Sequence, residues 1–102
     1  MRPPPVVELL RDAINEAGYH VAVVRDTSMY LLRVSIVKRR RNVDLLGHVA
    51  TIFFAPGRSV IECLRGCDDL IFNIGDPDLV QKLIQSLGQI DEHQVKLDRE
   101  WP

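Results

Sequence analysis

Apolar residues recur at Val6, Leu9, Leu10, Ala13, Ile14 and Ala17, a spacing of three and four that gathers them on one side of a helix. Glu8, Arg11, Asp12, Asn15 and Glu16 fall on the opposite side. Pro3, Pro4 and Pro5 suit the start of that helix and Gly18 its end, because proline fits the first turn and glycine the left-handed closing position. A second stripe, Leu79, Val80, Leu83, Ile84 and Leu87, runs up to Gly88. It follows Asp76-Pro77-Asp78, which reads as a cap, a first-turn proline and a carboxylate opposing the helix dipole.

Between the helices the chain is rich in Val, Ile, Leu, Phe and Tyr and is broken at regular intervals by turn residues. Five strands are predicted near residues 19–25, 29–39, 43–54, 59–65 and 69–74, with turns at Asp26-Thr27, Arg40-Arg41-Asn42, Pro56-Gly57 and Gly66-Cys67. Links this short force an antiparallel meander. The expected class is therefore α+β, a two-layer domain of order α-β-β-β-β-β-α with both helices on one sheet face. Residues 1–90 form this single domain, and an acidic tail occupies 91–102.

Alternation along the strands assigns the two faces. A three-residue loop at 40–42, with Asn42 in the left-handed position, puts His48, Ala50, Ile52 and Phe54 on one face with Tyr30, Leu32 and Val34. Ile61, Cys63, Leu70 and Phe72 join them under the helices. The opposite face should be polar in an ordinary two-layer domain. Instead it carries Leu31, Val37, Val43, Leu45, Val49, Phe53, Val60, Leu64 and Ile71, interrupted by Arg33, Ser35, Thr51, Glu62 and Asn73. Two helices cannot cover both faces of five strands, so this surface is the expected contact with another protein or with a second copy of the chain.

Charge sharpens this picture. The 13 basic and 14 acidic residues nearly cancel, but residues 1–65 carry 10 basic and 6 acidic side chains while 66–102 carry 3 and 8. That balance argues against a general nucleic-acid binder and leaves room for one local basic site. Lys38, Arg39, Arg40 and Arg41 supply it at the tip of the longest hairpin, where they can contact phosphates or simply keep the strand edges soluble. No aromatic residue interleaves with them to stack single-stranded bases. Strand counting places Arg65 and the start of the acidic tail at that same end of the sheet, so the tail carboxylates are expected to pair with these arginines, within the molecule or in a neighbouring subunit.

Other chemistry finds little footing. Cys63 and His48 fall as diagonal neighbours on one face, the arrangement in which an imidazole activates a thiol. That face points at the helices, however, and no third group orients the histidine, so no catalytic residue is expected. Cys67 belongs to an exposed turn. The three histidines and two cysteines lack metal-ligand spacing, Asp68-Asp69 and Asp76-Pro77-Asp78 lack the calcium-loop pattern, and the glycines are scattered singly. Neither metal nor cofactor is expected.

With two cysteines there is no disulfide framework, the start Met1-Arg2-Pro3-Pro4-Pro5 lacks the apolar stretch of a signal peptide, and the longest nearly apolar run, 49–55, is too short to span a bilayer. A cytoplasmic location without membrane contact is the expectation. A helix, an antiparallel meander, a closing helix, an acidic tail and an apolar outer face are similar in layout to small dimeric bacterial secretion chaperones. Those proteins carry a further helix between strands, and no residue motif is shared. The expected function is a non-enzymatic protein–protein interaction module of adaptor or escort type, homodimeric through the apolar face. The alternative is a small nucleic-acid-binding protein acting through residues 38–41.

Overall fold

A computed structural model of the chain describes residues 3–66 and 68–88, the side chains of residues 38–40 excepted. Helix α1 spans Pro5–Glu16, and five strands follow: β1 (His20–Asp26), β2 (Met29–Arg40), β3 (Val43–Phe54), β4 (Val60–Arg65) and β5 (Asp68–Asn73). A closing helix α2 occupies residues 79–88 of the described chain. The strands form one antiparallel sheet in the order β1-β2-β3-β4-β5, so the expected α-β5-α meander is the fold.

Local chemistry explains where the elements begin and end. Pro4 accepts the first helical bonds through its carbonyl, from Val7 at 3.0 Å and Glu8 at 3.3 Å. At the other end Gly18 adopts φ 102, while its N–H bonds to the Asn15 carbonyl and the Tyr19 N–H reaches back to Ile14. These two bonds satisfy carbonyls that the helix leaves open. The stripe that α1 buries is Val7, Leu10 and Ile14, with Val6 packed at its margin, whereas Leu9 faces outward. The expected stripe was thus about one residue off, because the spacing 6-9-10-13 and the spacing 7-10-14 are both helical and only the sheet chooses between them.

In α2 the expected cap is in place. Asp76 Oδ1 accepts the Asp78 N–H at 2.8 Å, and Lys82 Nζ donates to Asp76 Oδ2 at 2.6 Å. Lys82 and the Asp78 N–H hold the Asp76 carboxyl below its ordinary value, and the same contact raises the Lys82 amine. Leu79, Leu83 and Leu87, four residues apart, bury against the sheet.

The β2–β3 pairing decides which side chains reach the core. Arg41 (φ 51) and Asn42 (φ 65) make a two-residue turn, so Arg40 pairs with Val43. Both central residues lie in the left-handed region, the requirement of the tightest hairpin turns. Carried unbroken along the hairpin, that pairing would set Thr51 and Phe53 beneath the helices. It is not carried unbroken. The register shifts between Val34 and Ser35: Ser35 pairs with His48 but Val34 with Ala50, leaving Val49 as an extra residue on β3. This β-bulge reconciles the parity demanded by the turn with the parity demanded by the core, where Leu32 meets Ile52 and Tyr30 meets Phe54.

The three-residue loop expected at 40–42 is therefore corrected to a two-residue turn plus a bulge. Val49 and Ala50 both enter the core, at 3% and 0% exposure. At β3–β4, Arg58 N–H bonds back to the Ala55 carbonyl across Pro56-Gly57, with Gly57 at φ 90. Proline second and a positive-φ glycine third is the pattern of a type II turn.

Candidate functional site

Two surfaces remain once the core is filled. The first is the outer face of the sheet, opposite the helices. From β2 it carries Leu31 and Arg33, from β3 Thr51 and Phe53, from β4 Val60, Glu62 and Leu64, and from β5 Ile71 and Asn73. Ile71 is 63% exposed, Val24 at the β1 edge 42% and Leu64 37%, while Leu31, Phe53 and Val60 are half-buried by their strand neighbours. Among the described residues no element packs over this face. Met29, Phe53, Ala55, Arg58, Val60, Glu62 and Leu64 line a shallow hollow of about 200 Å³ on it, with an Arg58–Glu62 ion pair of 3.5 Å at the rim.

Three residues expected on this face are elsewhere. Val49 is a core residue, because the bulge turns it inward beside Ala50. Val43 and Leu45 lie beyond the bulge, where parity is reversed, and pair with Arg40 and Lys38 on the helix side of the hairpin. His48 makes the opposite move, from the helix face to the outer face. Leu31, Phe53, Val60, Leu64 and Ile71 stand where alternation put them.

The bulge also separates the thiol from the imidazole. Cys63 is fully buried on the helix face, while His48 Nε2 shares a 2.9 Å hydrogen bond with Thr51 Oγ1 on the outer face. Burial pushes the Cys63 thiol up to about 11, against a smaller lowering by Arg65 and a raising by Asp69. A protonated thiol shielded from solvent is a poor nucleophile.

The second surface is the distal half of the β2–β3 hairpin. β1 pairs with β2 only as far as His20↔Ser35, and β4 pairs with β3 only over residues 51–53. Residues 36–40 and 43–47 therefore pair only with each other and stand out as a two-stranded arm, about 17 Å long at 3.3 to 3.4 Å per residue. Val37, Val43, Leu45 and Leu46 on it are all at least half exposed. The strand lengths themselves carried this signal, since 12-residue β2 and β3 outrun neighbours of 7 and 6 residues.

Lys38, Arg39, Arg40 and Arg41 occupy the end of this arm by register, the side chains of 38–40 lying outside the described residues. Arg65 is at the same end of the sheet but level with Ala50, about 23 Å short of the turn, and its Nε is 4.0 Å from Asp68 Oδ2. Cys67 and the acidic tail 91–102 lie outside the described residues.

At the root of the arm, residues that strand reading had treated separately come together. His20, Ser35 and His48 are direct cross-strand neighbours in one row, and Ala22 and Arg33 lie in the next. With Leu46 they line a cleft of about 300 Å³. Among the described residues, this cleft included, no three His, Cys, Asp or Glu side chains gather as a metal site requires, and no helix is long and apolar enough to cross a membrane.

Fold and surfaces together define a small two-layer α+β domain with an open apolar sheet face and a basic β-arm. Comparison with family models, curated proteins and solved structures finds no match for the chain.

Proposed function

We propose that the protein is a non-enzymatic interaction module of adaptor or escort type that pairs with a second copy of itself through the outer sheet face. The observation that carries this reading is the apolar group Leu31, Phe53, Val60, Leu64 and Ile71, on a face that no described element covers. Five strands at about 4.8 Å spacing and six residues at about 3.3 Å give a plane of roughly 20 by 20 Å, about 800 Å² over two copies, the scale of a weak, reversible contact.

A cytoplasmic location goes with this reading, since neither cysteine belongs to a disulfide framework.

Sedimentation equilibrium tests it. The wild type should give twice the chain mass of 11.6 kDa, and Phe53→Asp should give a folded monomer, because a buried unpaired carboxylate is costly at the centre of an apolar interface. A monomeric wild type, or a Phe53→Asp variant that stays dimeric at unchanged stability, removes the proposal.

A further inference from the structure

We propose that the projecting β2–β3 arm binds duplex DNA by entering the major groove, with its tip on one phosphate backbone and its root cleft on the other. This goes beyond self-association and does not depend on it.

Three observations support the assignment. The arm is a two-stranded antiparallel ribbon free of other strands over residues 36–40 and 43–47, and a two-stranded ribbon is one of the two elements that a B-form major groove admits. Its charge is lopsided: Lys38, Arg39, Arg40 and Arg41 stand against Asp44 alone. Its root carries a second polar and cationic group, in which Arg33 and Ser35 share a cleft with His20 and His48. Arg33 is exposed and forms no ion pair among the described residues.

Distance connects the two ends. From Ser35 to Arg40 is five residues, about 17 Å along the strand. The major groove is about 12 Å wide, with a phosphate wall on each side. Cations at root and tip therefore fall on opposite walls, while exposed Val37 and Leu46 between them face the apolar base edges such as thymine methyls.

Fluorescence anisotropy with a labelled duplex of about 25 base pairs tests this on the full-length chain. Three phosphate contacts, from Arg33 and Arg39 on the groove-facing side and Arg41 in the turn, give a log–log salt slope near −2.7, or about 40-fold weakening between 50 and 200 mM KCl. Arg39→Ala/Arg40→Ala/Arg41→Ala should leave a slope near −0.9, about 3.5-fold over the same range, and Arg33→Ala should reduce the slope by about 0.9. Circular dichroism should show both variants folded, since none of the altered positions belongs to the described core. Absence of binding at 50 mM KCl overturns the proposal, as does an unchanged slope in the triple variant. An unaffected Arg33→Ala overturns the two-ended geometry. Single-stranded DNA or polyglutamate competing as well as duplex would make the arm a general polyanion or acidic-protein contact instead.

Discussion

Cys63 turns the buried face of the sheet into a titration. Its thiol sits among Ile61, Ile52 and the helices with no exposure, and burial lifts it from an ordinary 9.0 to about 11. Raising the pH from 8 to 11 should therefore ionise Cys63 in the unfolded chain before it does so in the folded one. The sign follows from proton counting: between these two values the native state holds the proton that the unfolded state has lost, so stability falls as pH rises. The contribution is intact below pH 9 and is lost progressively up to about 11. Two pH units at 1.36 kcal/mol each correspond to roughly 2–3 kcal/mol.

Cys63→Ala removes the titration and costs about 1 kcal/mol of packing at every pH. In a Cys67→Ser background the Cys63 protein should then be the more stable of the two at pH 8 and the less stable at pH 11, with the curves crossing near pH 10. Urea unfolding followed by circular dichroism at fixed pH measures both curves. A difference that stays constant with pH, or rapid alkylation of Cys63 in the native protein at pH 7.5, would refute the reasoning and return the thiol to the candidates for chemistry.

Val49 and Leu45, both expected on the outer face, should part company on truncation. Val49→Ala should lower stability by about 2 kcal/mol as a core cavity, and Leu45→Ala, half exposed on the arm, by less than about 0.5 kcal/mol, both read from urea midpoints. Asp76 links helix α2 to acid stability: its carboxyl is held below the ordinary 3.8 by Lys82 and the Asp78 N–H, so its contribution is complete above that pH and is lost as pH falls below it. Thermal melts from pH 7 to pH 2 should show Asp76→Ala less stable than wild type at neutral pH, with the two converging at the acid end; parallel curves would mean that the cap contact does not hold the helix.

Helix ends, strand ends and the meander follow from chemistry that acts within a few residues. Proline and aspartate at helix starts, Gly18 past a helix end and Pro56-Gly57 in a turn each constrain the backbone where they stand, whatever lies across the sheet. Apolar alternation in β2, β4 and β5 likewise placed Leu31, Val60, Leu64 and Ile71 correctly, because an unbroken strand keeps its parity along its length. The bulge has no such local mark. It exists because Arg41-Asn42 closes the hairpin with one parity and Ala50, Ile52 and Phe54 fill the core with the other. A conflict between two ends of a hairpin is settled only when both strands and the helix layer are present.

From that one extra residue come the burial of Val49, the outward turn of His48, its separation from Cys63, and the reversed face of Leu45. The arm was half legible: the length of β2 and β3 marked the longest hairpin, and the tertiary structure decided how much of it stands free, because β1 and β4 stop short of residues 36–40 and 43–47.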